Sequence, residues 1–389
     1  MRRSPVAPVL LVALLAAGCV PGEAAERVVP PAVSAWLEPA CPLPDGEPPT
    51  SADLLNRVVA QADLPGWQAA DVGTSARLGD GRLVWVFGDT FRRPGSDPLM
   101  VSNSMLVSSG SCVSQLVTAD RGPLLPDAAD GTVYWPMSVV AVPGAAAGPE
   151  HAGVQDVLLV LLARTQRDAG DGGLLDFRFR GTSVAVFTVL EREAPQLQRI
   201  VRVTADDDDP GQVNWGAAAA VDGGLLHVYG TRATGEPATY GRELYVARVP
   251  VDAVGNRLAW EYWDGSAWTG WAGAARPVLG ARGGVSQTLS VDLVDGQWVA
   301  VSKRDGDLGD FVYTWTAPAP TGPWTARRAL PAPAGFDTGD LAYAPLAHPD
   351  VPLASGGLLL SISRNATDGD RLWADPRIAR PVFVEIPRP

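Results

Sequence analysis

The chain has 389 residues, 43 acidic against 31 basic side chains, and a formal charge of −12 at pH 7. No basic cluster interrupts that balance, which argues against nucleic acid as a partner. Gly 42 and Pro 35 punctuate the sequence too often for long helices, so an all-β chain is expected.

Met1-Arg2-Arg3 followed by the apolar run Val6 to Ala17 reads as the n- and h-regions of an export signal, too short to span a bilayer. It ends in Leu15-Ala16-Ala17-Gly18-Cys19, which resembles a bacterial lipobox, so residues 1–18 are expected to be removed and Cys19 lipidated. The protein is then expected outside the cytoplasm, held to the membrane by its N-terminal lipid only and otherwise a soluble monomer. Cys41 and Cys112 remain, and an oxidising envelope allows them one disulfide; two buried thiols are the alternative. Residues 19–63 read as anchor, Pro- and Ala-rich tether with little order before Cys41, and one helix, Ser51 to Gln61, capped by Ser51.

From residue 64 to 389 the pattern is strands and turns. Asp71 to Thr90 reads as a hairpin with Gly79-Asp80-Gly81 as its loop and Gly81 left-handed. A three-residue loop pairs Leu78 with Arg82, and counting outward sets Asp71 opposite Asp89 on one face. A two-residue turn would put the acids on opposite faces. Two facing carboxylates are the arrangement that glycoside hydrolysis uses, although Asp at strand ends also caps backbone N–H groups.

The same plan, a short polar run, a tight turn and an apolar strand, recurs in Tyr134 to Arg164, Asn214 to Arg232, Ser286 to Arg304 and Ala342 to Asn365. Irregularly spaced strand units, each too small to bury a core alone, point to a five-bladed β-propeller of about 65 residues per blade. A β-sandwich is the structural rival. In a propeller the first residues of every repeat converge on one end of the central channel. That gathers Asp71, Trp135, Asn214, Trp215, Gln287 and Tyr343, rings to stack on a sugar beside groups for its hydroxyls.

Asp71-Val72-Gly73, VWVFGDTF at 84 to 91, Asn103-Ser104, NWG at 214 to 216, GPW at 322 to 324, AYAP at 342 to 345, LSISRN at 360 to 365 and RPVFVEI at 380 to 386 together resemble a family of five-bladed propellers. Its members are secreted or lipid-anchored actinobacterial proteins long described as a domain of unknown function. Characterised ones are endo-D-arabinanases of mycobacterial arabinogalactan and lipoarabinomannan. The resemblance runs from about Gly66 to Pro387 and implies Asp71 and Asp89 as the catalytic pair, with Asn103 joining the expected substrate-binding set. In GGVSQTLSV, Gln287 and Thr288 stand where the family often has an acid, so blade four offers no proton there.

Asp89 follows an apolar strand, which favours it as proton donor with Asp71 as base. No cofactor or metal is expected: His151, His227 and His348 have no zinc spacing and read as surface or turn residues. Asp206 to Asp209 and the Asp305, Asp307, Asp310 segment read as solvated loops. The expected function is therefore an envelope-anchored hydrolase of furanoside polysaccharide; a propeller that binds envelope polysaccharide or protein without cleaving it is the alternative.

Overall fold

Short strands separated by Gly-Asp turns can satisfy their backbone groups only by pairing antiparallel with their neighbours. The computed structural model describes residues 27–28, 34–44, 50–167 and 177–389, and in it five small antiparallel sheets stand in a ring as a five-bladed β-propeller. The signal, Cys19 and much of the expected tether lie outside the described residues. From the channel outward, blade one is Ala69–Arg77, Leu83–Phe91, Ser104–Ser109 and Cys112–Thr118. Blade two is Thr132–Pro143, Asp156–Arg167, Phe177–Val189 and Gln196–Arg202. Blade three starts with Asn214–Asp222, Leu225–Arg232 and Glu243–Pro250. Ser290–Val294, Gln297–Lys303, Phe311–Ala317 and Thr325–Pro331 form blade four. Blade five has Asp340–Ala347, Leu358–Ala366 and Val382–Ile386. The five sequence repeats are the first two strands of the five blades, and the sandwich alternative is excluded.

No blade buries a core by itself. Four apolar clusters each straddle two adjacent blades, as where Trp215 and Val228 of blade three meet Leu161 and Val186 of blade two, and a fifth spans blades two, three and four. Side-chain hydrogen bonds bridge the same junctions: Ser138 Oγ donates to Gly216 O at 2.9 Å, and Ser290 Oγ accepts from Ala347 N–H at 2.8 Å. The three histidines, expected near the surface, are all buried. His348 shows why: Ser75 Oγ and Ser361 Oγ meet its two ring nitrogens at 2.8 and 2.7 Å, so a neutral imidazole fits an interblade slot, and burial pushes its pKa down to about 3.

The ring closes on helix α1 (Ala52–Gln61), capped by the Ser51 hydroxyl as expected. Asn56 lies against the edge strand of blade five, donating to Phe383 O at 2.8 Å and accepting from Phe383 N–H at 2.8 Å. The buried Arg380 guanidinium donates to Val59 O, Ala60 O and Ala62 O at the end of α1 and to Gln68 O beyond it, all at 2.6 to 2.8 Å. Carbonyls that a helix end leaves unpaired are thereby satisfied from the far end of the chain. Within the expected tether, Ala35–Glu38 pairs as an edge strand on Cys112–Thr118, where blade one otherwise leaves open ladder groups. Cys41 and Cys112 are joined as a disulfide beside it.

Candidate active site

Blade one turns on a three-residue loop: Leu78 N–H donates to Arg82 O at 2.8 Å, and Gly81 takes φ 87°. From Arg77↔Leu83 to Thr74↔Val86 the register is the expected one, and it returns at Ala70↔Thr90. Between them lie two compensating irregularities. Val72 pairs with Phe87, which leaves Asp71 facing Gly88 and Asp89 without a ladder partner. The acids thus meet through a bulge rather than as opposed residues. Val72 adopts φ 66°, a region that a β-branched residue enters only at a cost of about 1–3 kcal/mol. Its N–H leaves the sheet and donates to Ser363 Oγ of blade five at 3.0 Å. The space for the Asp71 carboxyl comes from Gly88, where a Cβ would stand 2.5 Å from Asp71 Oδ1.

The first strands of blades two, three and five carry irregularities at the same level, between Pro136 and Ser138, Trp215 and Ala218, and Tyr343 and Leu346. Bulges re-aim side chains, and in blades two and five they accompany Trp135 and Tyr343 at the channel mouth. Tyr343 Oη donates to Asp71 Oδ2 at 3.0 Å, and Asn365 Nδ2 reaches the same hydroxyl at 3.5 Å. Trp135 Nε1 donates to Asp89 Oδ1 at 2.9 Å, and Arg167 forms an ion pair with the same oxygen.

The two carboxyls differ in electrostatics. Burial, and then the Asp89 charge, push Asp71 up to about 7, against the hydrogen bond from Tyr343. Burial raises Asp89 too, but the Arg167 guanidinium and the Trp135 N–H oppose it directly. Both carboxyls are thus raised, and the guanidinium that favours ionisation sits directly on Asp89. That placement favours Asp71 over Asp89 as proton donor, the opposite of the preference drawn from the strand alone, which could not see Arg167 on another blade.

The other expected binding residues divide. Trp135 is half-buried, edge-on to Phe177 at 4.8 Å, with the Arg167 guanidinium 5.5 Å from its ring. Asn214 is buried. Trp215 is a core residue, packed on Tyr262 at 5.2 Å and Tyr245 at 6.3 Å, because the bulge beneath it turns the indole between blades. Asn103 is also structural: it is buried, donates to Leu125 O and Tyr134 O, and accepts from Leu125 N–H, which leaves no amide group for a ligand. Gln287 lies at the junction of blades three and four, where its Oε1 accepts from Arg242 Nη2 at 2.9 Å.

Sequence reasoning missed Arg167, Arg242 and Asp307. A signal existed for Arg167: it ends the second strand of its blade, as Asp89 and Asn365 nearly do in theirs. Asp307, expected in a solvated loop, turns inward so that its Oδ2 lies 3.4 Å from Gln287 N. Asp206 likewise leaves its acidic run to pair with the buried Arg164 at 2.8 Å.

Among solved structures, a Bacteroides ovatus protein provisionally named a hydrolase aligns over 90% of this chain and 93% of its own, with TM-score 0.61 and 17% identity. The catalytic domain of a Coprinopsis cinerea GH62 α-L-arabinofuranosidase aligns over 86% of this chain and 91% of its own, at TM-score 0.45 and 11% identity. An α-L-arabinofuranosidase from Podospora anserina aligns over 85% and 94%, at TM-score 0.45 and 12% identity. At 17% identity the likeness to the first of these speaks to the fold alone. No curated protein matches the sequence significantly. A family model matches residues 56–388, and the chain belongs to that family, described as Domain of unknown function (DUF5005).

Proposed function

We propose that the protein is a glycoside hydrolase of furanoside polysaccharide, with D-arabinan of arabinogalactan or lipoarabinomannan as its substrate. The observation that carries this reading is the pair Asp71 and Asp89, side by side at a half-buried mouth, one raised to about 7 and the other tied to Arg167. Asp71 gives its proton to the glycosidic oxygen as the bond breaks. Asp89, ionised, acts at the anomeric carbon, as base toward water or as nucleophile. Trp135 and Tyr343 each hold one carboxyl and present an aromatic edge to the sugar. The D-arabinan preference rests on the sequence resemblance.

Release of reducing ends from arabinogalactan by the signal-free protein tests the reading. Co-sedimentation with the glycan in the absence of any cleavage would instead mark a binding propeller. NMR of the first-formed product distinguishes the two roles of Asp89, since a nucleophile retains the anomeric configuration and a base inverts it. The same proposal places the protein outside the cytoplasm with lipid on Cys19, and a Cys19→Ala variant that stays in the membrane fraction would refute that placement.

A further inference from the structure

We infer that Arg242, Gln287 and Asp307 form a second sugar-binding subsite, which takes the hydroxyls of a residue beyond the one cleaved; this rests on the glycosidase reading. Ring order sets its place. With five blades in sequence order around the channel, the junction of blades three and four lies across the mouth from blade one, which carries Asp71 and Asp89.

The cluster is built, not incidental. Arg242 Nη2 holds Gln287 Oε1 at 2.9 Å, Thr231 Oγ1 donates to Gln287 O at 3.2 Å, and the Gln287 N–H faces Asp307 Oδ2 at 3.4 Å. All three side chains are half-buried, so they are fixed yet reachable. Their loops are knitted together: Arg242 and Val285 exchange backbone hydrogen bonds at 2.8 and 3.1 Å, and Asp305 N–H donates to Gly284 O at 2.8 Å. Gly284 permits this, since a Cβ there would stand 2.3 Å from Arg242 O. Lys303, the single lysine of the chain, is fully buried beside the cluster and donates to Ala342 O, the residue before Tyr343. The second subsite is thereby tied to the donor that holds Asp71.

Its chemistry selects the ligand class. A carboxylate that accepts and a guanidinium that donates, both held by Gln287, one through its backbone N–H and the other through its side-chain oxygen, match the alternating hydroxyls of a neutral sugar. One carboxylate beside Arg242 and Lys303 leaves no excess negative charge for a metal ion. The substrate therefore reaches across the mouth and is recognised on at least two residues.

The test uses the full chain with Asp71→Asn, so that bound sugar is not turned over. Calorimetric binding of a linear arabinofuranose oligosaccharide is compared with that of methyl arabinofuranoside, with and without Asp307→Asn or Arg242→Gln. Either second substitution is expected to weaken the oligosaccharide by about 10- to 100-fold, with a loss for the methyl glycoside at least about tenfold smaller. Unchanged oligosaccharide binding, or equal loss on both ligands, overturns the subsite. Should Asp307→Asn not fold, as judged by its thermal transition, Arg242→Gln decides alone. Cleavage by the parent is measured separately: Asp307-dependent binding without cleavage keeps the subsite and refutes the hydrolase reading, whereas a parent that neither binds nor cleaves refutes both.

Discussion

The Tyr343 hydroxyl and the Asp71 carboxyl, 272 positions apart in the chain, meet at 3.0 Å across the closure between blades five and one. That hydrogen bond favours the charged form of Asp71 and is one of the few forces opposing its raised pKa. Tyr343→Phe removes it, so Asp71 keeps its proton to higher pH. The alkaline limb of the pH profile should move up, and cleavage at neutral pH should fall about tenfold through lost positioning. An unmoved limb would show that Asp71 is not the donor.

Arg167→Gln tests the other carboxyl. Without the guanidinium only the Trp135 N–H still offsets the burial of Asp89, and its pKa rises further. The acidic limb should shift upward, since the anion then forms only at higher pH. The alkaline limb moves less. A shift confined to the alkaline side would assign Arg167 to Asp71 instead.

Asp71→Asn and Asp89→Asn should each lower arabinan cleavage by about 10²-fold or more. Their stabilities should differ. Asp71→Asn removes a carboxyl that burial disfavours and should match or exceed the parent in thermal denaturation. Asp89→Asn strips the half-buried Arg167 of its partner and should cost about 1–3 kcal/mol. Asp80 is a poor control although it lies in the hairpin turn, because its buried side chain pairs with the equally buried Arg82 at 2.7 Å. The exposed Asp252 serves better.

Arg380 offers a test of ring closure away from the mouth. Replacing it with Met leaves the carbonyls of Val59, Ala60, Ala62 and Gln68 without a donor in a buried place. A loss of at least about 3 kcal/mol in urea denaturation is expected. Lys, with a compact ammonium in place of a planar fork, should recover only part of it. Full recovery by Lys would mean that charge, not geometry, closes the ring.

What the sequence revealed followed from local rules. Gly79-Asp80-Gly81 fixed a loop length, the loop length fixed a register, and the repeated strand-turn-strand plan fixed the number of blades. The bulge at Asp71 left no such trace, because Val72 enters the left-handed region under contacts from blade five. Trp215 sat at a promising position in the repeat and Asn103 in a motif of the resemblance, yet which way each side chain turned depended on partners elsewhere in the chain. Arg167 and Asp307 were hidden for the same reason: they come from a second strand and the loop after one, whereas the convergence argument gathered the starts of first strands.

A last prediction concerns the channel wall. Asp292, on the first strand of blade four, has a buried Oδ2 with no hydrogen-bond partner among the described residues. Burial, and then the charge of Asp350, hold its pKa well above the ordinary value, against one hydrogen bond from Ser290. An acid whose folded pKa exceeds its unfolded one contributes no penalty while both states are protonated, below about pH 4. As pH rises, the unfolded chain releases the proton first, so stability falls until the folded group ionises as well. Asp292→Asn abolishes that contribution. The variant should equal the parent near pH 4, exceed it by about 1–2 kcal/mol at pH 7, and show a flatter dependence of its unfolding midpoint between those values. A variant less stable than the parent at both pH values would mean that the carboxyl has a partner whose loss outweighs its burial.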